Sequence, residues 1–187
     1  NLFYIKNMDE IISGDDEMMK NKFFYVMHFI KEKDEFTDEV GMCRHYEKRE
    51  SVEKIAKALA EFREKYPEYA ERVRGLDASA AEIWCRPEVF AQAFRFLRNH
   101  GRMDSNIIQL RYTYHVGEDF LDVVDGLRAI DEVISYLNFQ CGDRLGHALA
   151  LGIDIDEWYN KKANLLLIGR MDYLDNLVWL YGKIRKY

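Results

Sequence analysis

The chain has 187 residues, 48% of them hydrophobic and 32% charged, a balance that excludes a disordered or low-complexity polypeptide. Its net charge of −6 argues against nucleic acid as an electrostatic partner, because binding to phosphates requires a basic surface. The sequence contains no apolar run long enough to cross a bilayer, so we expect no contact with a membrane.

The first half of the chain alternates between apolar runs and amphipathic stretches. The run KFFYVMHFI at 22–30 has the length of a buried strand. After it, apolar residues recur at helical spacing from Ser51, which we predict to be the N-cap of a helix. The stretch RVRGLDASA at 72–80 predicts a second strand, and Pro87 marks the start of a second helix that ends at Gly101.

The second half repeats this alternation. Strands are predicted at 107–116 and 143–151, with an amphipathic helix at 120–138 between them, and a helical extension is predicted at 159–187. We expect the aromatic stripe of this extension to pack in the helix or, in a partial barrel, to form an exposed interface. Four strands, each followed by helical sequence, are typical of βαβ units around a parallel sheet. Right-handed crossovers place the carboxyl ends of such strands at one edge of the sheet, where α/β proteins have their catalytic and ligand-binding residues.

Four polar residues fall at or just after these predicted strand ends, namely Asp77, His115, Glu118 and His147. In HVGED, the glycine between His115 and Glu118 permits a sharp turn, so that the imidazole can bind a metal while the carboxylate transfers protons. His147 is placed to orient an attacking water or to bind metal itself. A single histidine at a strand end is usually structural, as we interpret His28, but the combination favours a functional site.

These segments resemble a known family. YHVGED is similar to the HAGE segment of the adenosine and AMP deaminases, DRLGHALALG to their RIGHG segment, and GLDASAAE at 75–82 to a segment usually close to GIDLAGDE. The wider pattern is most similar to the large bacterial adenosine-deaminase-like proteins. The resemblance covers about residues 22–158.

The resemblance implies a metal-dependent (β/α)₈ TIM barrel of the amidohydrolase type, with hydrolytic deamination of a 6-aminopurine nucleoside or nucleotide as its reaction. His115 matches a zinc ligand, and Glu118 matches the acid/base that protonates the purine ring nitrogen. His147 matches the histidine that positions the attacking hydroxide. Asp77 and Ala80 fall on the substrate side of the site; the family usually has a glycine where Ala80 stands, which lets the purine approach the backbone.

The chain departs from the family pattern in its ligand set. It contains no HxH pair and no apolar strand after His147 that ends in aspartate, although the family requires both for its zinc site. A complete barrel also needs about 250 residues. We therefore expect one domain over 1–187 that corresponds to strands four to seven of a larger barrel, with a barrel core at 22–158 and a helical extension at 159–187. The zinc site would be complete only in the larger protein, and this chain alone is expected to be inactive.

Other interpretations remain open on the sequence alone. The chain could be a half-barrel that assembles with a partner, or a non-catalytic scaffold module, since the open edges of a partial sheet favour oligomers or larger assemblies. It could also be an amidohydrolase acting on a different ring, because Ala80 departs from the purine-binding pattern. Three widely spaced cysteines without a CxxC pair predict reduced thiols and a cytoplasmic location.

Overall fold

The computed structural model describes residues 7–8, 10–11, 22–33, 43–101 and 107–186. A four-stranded parallel sheet forms the centre of this part of the chain, with its strands in the consecutive order β1-β2-β3-β4. The strands are β1 (Tyr25–Ile30), β2 (Val73–Ser79), β3 (Arg111–Val116) and β4 (Arg144–His147). The predicted α/β class with a parallel sheet is thus confirmed, while its continuation into a barrel stays a prediction.

Helices connect the strands and follow the last of them. The helices are α1 (Tyr46–Lys65), α2 (Pro67–Ala70), α3 (Ala91–Asn99), α4 (Val123–Tyr136), α5 (Ile155–Lys161) and α6 (Arg170–Ile184). Short 3₁₀ turns occupy Glu82–Trp84, Pro87–Val89 and Leu149–Gly152. Within the described ranges, no helix has the length and apolar character needed to cross a membrane.

Several predicted boundaries were wrong. Helix α1 begins at Tyr46, so the predicted N-cap Ser51 lies inside the helix and His45 precedes it. Pro87 starts a 3₁₀ turn rather than the α-helix, which begins at Ala91. The fourth strand ends at His147 because the backbone there turns into the left-handed region, where a strand cannot continue.

The two faces of the sheet have opposite character. Along β3, the alternation of side chains buries Tyr112, Tyr114 and Val116 and leaves Thr113 and His115 on the other face. The buried side belongs to one continuous core, which also contains residues of α1, α3 and α4. The predicted site residues therefore lie on the face opposite this core or at the strand ends.

The C-terminal helix packs less than expected. The aromatic stripe predicted to pack in the helical extension lies in α6, where Tyr173, Leu177 and Tyr181 are all exposed. The prediction of a packed stripe was wrong for these side chains, whose exposure fits the alternative of an exposed surface. In α6 only Asn176 is buried.

Candidate active site

Asp77 and His115 form the inner part of the site, at the carboxyl ends of β2 and β3. Asp77 is only 3% exposed. Its Oδ2 lies 2.9 Å from His115 Nδ1, and its Oδ1 accepts the His115 backbone N–H at 3.3 Å. The ring N–H does not point at the carboxylate, so the ring contact is electrostatic rather than an aligned hydrogen bond. With the Asp77 carboxylate beside Nδ1, Nε2 is the ring nitrogen that remains to bind a metal or a substrate.

A tight turn after β3 brings Glu118 beside His147. Gly117 has φ of 73°, and a Cβ at this position would lie 2.7 Å from Ile130 Cδ1, so only glycine fits. The turn places Glu118 Oε2 3.0 Å from His147 Nε2. Both side chains remain partly exposed, at 29% and 46%. A solvent-accessible carboxylate in contact with an imidazole can exchange protons with a bound molecule.

Close approach of β4 to β3 completes this arrangement. Gly146 pairs with His115, and a Cβ on Gly146 would lie 3.3 Å from His115 Cα. The ring centroids of His115 and His147 are 5.3 Å apart. The structure therefore brings four of the predicted site residues into one row of contacts, namely Asp77, His115, His147 and Glu118.

A third imidazole, that of His28, joins the same edge. Its ring centroid lies 6.4 Å from that of His115, and its Nδ1 is 3.0 Å from Ser79 Oγ. Its side chain is exposed, and Nδ1 also lies 4.0 Å from Asp77 Oδ2. His28, His115 and His147 therefore form a row of three imidazoles, which we call the histidine row. From the sequence we preferred an ordinary structural role for His28 over a place at this edge. Its position near the carboxyl end of β1 was the signal for the edge.

Ala80 adopts an unusual backbone conformation directly after β2. Its φ is 79°, in the left-handed region that residues other than glycine rarely occupy. The position therefore has the geometry that favours glycine, the residue that the resembling family carries there. Its methyl group is exposed at the same edge of the sheet.

Two buried charged residues near the turn were missed from the sequence. Glu82 is 7% exposed, and its carboxylate accepts backbone N–H groups of the turn after His115. Burial raises the pKa of Glu82, while these hydrogen bonds and Lys31 oppose the rise. Lys31 is 3% exposed and donates to the backbone carbonyl of His115; burial lowers its pKa. Glu82 ends the segment GLDASAAE, so the resemblance itself contained a signal for it.

The described residues do not form a metal-binding group. Among them, no set of three or more His, Cys, Asp or Glu side chains is close enough to hold a metal ion. The imidazole of His115, with Asp77 beside Nδ1, could serve as a single zinc ligand. The described cysteines are free thiols, and Cys43 and Cys141 are exposed whereas Cys85 is buried.

Comparison of the sequence with protein-family models gave no match, and comparison with curated proteins gave none either. The relationship to the adenosine and AMP deaminases thus stays a prediction that depends on the three sequence segments. The geometry described above is independent of that resemblance.

Proposed function

We propose that this chain is part of a zinc-dependent, adenosine-deaminase-like hydrolase and contains the residues that transfer protons in its active site. The observation that carries the proposal is the 3.0 Å contact between Glu118 Oε2 and His147 Nε2 beside the imidazole of His115. The proposed reaction is hydrolytic deamination of a 6-aminopurine nucleoside or nucleotide.

Each residue has a distinct role in this proposal. His115 would hold zinc through the ring nitrogen that does not face Asp77. The zinc, when bound, supplies Lewis acidity and an activated water. Glu118 would give its carboxyl proton to the purine ring nitrogen while the oxygen of water bonds to the amino-bearing carbon, and the amino group would then leave as ammonia. His147 would orient the attacking oxygen.

The strand order supports the wider architecture. Parallel strands in consecutive order, with no reversal, are what a section of a (β/α)₈ barrel has, whereas doubly wound sheets reverse their order at the ligand site. We propose that further strands continue the sheet and contribute the remaining zinc ligands. One good ligand does not hold a catalytic zinc, so this chain alone is expected to be inactive.

The position of Ala80 bears on the choice of substrate. Its backbone has the left-handed conformation that favours glycine, the residue through which the resembled family lets a purine approach the backbone. A methyl group at this position departs from that pattern. The same observation keeps a different aminated ring as a candidate substrate of the same reaction class.

A substrate panel tests the proposal. The intact protein is incubated with zinc and, in turn, adenosine, AMP and cytidine, and released ammonia is measured, with this chain alone as a parallel sample. We expect ammonia from adenosine or AMP, its loss after chelation, and its return when zinc is added. Ammonia release from cytidine but not from adenosine or AMP would show that the substrate is a pyrimidine nucleoside rather than a purine. No ammonia from any of the three would contradict the proposal.

A non-catalytic assembly role is the second candidate. It is favoured by the apolar side chains that α6 exposes, including Leu174, Leu177 and Val178. Large exposed apolar patches commonly mark protein interfaces. In that case the intact protein would form a defined assembly and would deaminate none of the compounds in the panel.

A further inference from the structure

We propose that Lys31 and Glu82 act together as positioning residues that hold the backbone from His115 to Asp119 and thereby place Glu118 against His147. Lys31 binds this backbone as a donor and Glu82 as an acceptor, and we call them the turn clamp. This inference deepens the proposed function, because it concerns how the acid/base group is placed against the histidine row.

Glu82 holds the N–H side of the turn. Its Oε2 accepts the backbone N–H of Gly117 at 2.8 Å, and its Oε1 accepts those of Glu118 at 2.6 Å and Asp119 at 2.5 Å. Three successive N–H groups that converge on one point form an anion-binding concavity. Here a buried side chain of the same protein fills it, and an ionised carboxylate has enough lone pairs for all three bonds.

Lys31 holds the carbonyl side of the same turn. Its Nζ donates to the His115 backbone oxygen and lies 4.8 Å from the centre of the Tyr114 ring. Its own backbone N–H donates to Ser79 O at 2.8 Å, which ties the end of β1 to the end of β2. The ammonium group is attracted by Glu82, so the two members of the clamp also stabilise each other.

The clamp fixes the backbone at both ends of the His115–Glu118 segment. The carbonyl of His115 and the N–H groups at 117–119 are held by buried charges, which form stronger hydrogen bonds than neutral groups do. Glycine at position 117 would otherwise leave this turn with more conformational freedom than any other residue would. The 3.0 Å contact between Glu118 and His147 therefore depends on groups that touch neither side chain.

Glu82→Gln tests the clamp, with Glu132→Gln as the matched control. Glutamine keeps the shape of glutamate but replaces one oxygen by an NH₂ group, which cannot accept a hydrogen bond. Glu132 is also a buried glutamate, but it binds Arg86 and Arg128 instead of the turn. The variants are compared by NMR of this chain without zinc or substrate, through amide hydrogen exchange and the ring signals of His147.

We expect Glu82→Gln to speed exchange at Gly117, Glu118 and Asp119 by about tenfold or more, the equivalent of one lost charged hydrogen bond. It should also move the His147 ring signals toward those of Glu118→Gln. Glu132→Gln should do neither. Wild-type exchange and wild-type His147 signals in Glu82→Gln would overturn the proposal.

Lys31→Met provides a second test if Glu82→Gln fails to fold. Methionine keeps an apolar stem and removes the donor, so the His147 signals should again shift toward those of Glu118→Gln. Unchanged signals in a folded Lys31→Met variant would overturn the role of Lys31. These readouts need no catalysis, so they separate failure of the clamp from failure of the proposed deamination, which would appear only as absent ammonia release.

Discussion

Ala80 is an exposed alanine in the left-handed region, at φ of 79°. This conformation costs a residue with a Cβ roughly 1–2 kcal/mol, and glycine avoids that cost while losing some unfolded-state entropy. We therefore predict that Ala80→Gly raises the free energy of unfolding by about 0.5–1 kcal/mol, measured by urea denaturation.

The neighbouring alanine provides the control for this change. Ala81 has φ of −60°, which any residue adopts without strain. Ala81→Gly should therefore lower the free energy of unfolding, because it only adds freedom to the unfolded chain. A loss of stability in both variants would show that the backbone at Ala80 is not strained.

At the same scale, the sequence predicted part of the site. His115, Glu118 and His147 could be placed together because each lies at or just after the end of a strand, and parallel strands end at one edge. Lys31 and Glu82 could not be identified as the turn clamp from the pattern, because they make contacts that span 84 and about 35 residues along the chain. Such pairings depend on the approach of strands in three dimensions and leave no periodicity in the sequence.

At the scale of elements, Gly126 lies where α4 meets the 3₁₀ turn after β4. A Cβ there would lie 2.7 Å from Ala150 Cβ and 2.9 Å from the ring of Phe120. Alanine is favoured over glycine in a helix by about 1 kcal/mol, but overpacking costs about 1–3 kcal/mol. We therefore predict that Gly126→Ala lowers the melting temperature.

Gly182 in α6 is the matched control for that substitution. A Cβ at Gly182 meets no heavy atom within 4 Å, so only helix propensity acts. Gly182→Ala should raise the free energy of unfolding by up to about 1 kcal/mol. A stabilised Gly126→Ala variant would mean that α4 packs less closely on its neighbours than the structure shows.

Element types were predicted better than element ends. The third strand was predicted from residue 107, yet it begins at Arg111 because only the later residues pair with a neighbouring strand. Similarly, Ser51 carries a good N-cap side chain but lies within α1. Local propensity identifies an element, whereas its ends depend on pairing and packing that the sequence pattern does not contain.

At the scale of the whole molecule, a buried ionic network ties the segment before α3 to α4. Arg86 contacts Asp125 at 2.8 Å and Glu132 at 3.2 Å, and Arg128 contacts Glu132 at 3.3 Å. Burial raises the pKa of Glu132 above its ordinary value of 4.5, and the two arginines only partly oppose that rise. The Glu132 carboxyl group therefore binds its proton more tightly in the folded protein than in the unfolded chain.

The sign of the resulting pH dependence follows from linkage. Because the folded pKa is raised, the stability contributed by protonated Glu132 is lost as the pH rises from about 4.5 through the folded pKa. The free energy of unfolding is measured by urea denaturation at several pH values for the wild type and for Glu132→Gln. We predict that the wild-type value minus the Glu132→Gln value decreases as the pH rises over this interval. A difference that grows with pH would mean that ion pairing outweighs burial at this site.

The proposed acid/base role of Glu118 in hydrolytic deamination can be tested by comparing Glu118 with the carboxylate next to it in the chain. Deamination of adenosine and AMP is measured in the intact protein with zinc for wild type, Glu118→Gln and Asp119→Asn. Asp119 is the adjacent exposed carboxylate, and its replacement leaves its backbone bond to Glu82 in place. We predict that Glu118→Gln lowers kcat/KM by about 10²–10⁴-fold while Asp119→Asn leaves it unchanged. Wild-type deamination by Glu118→Gln would contradict this account.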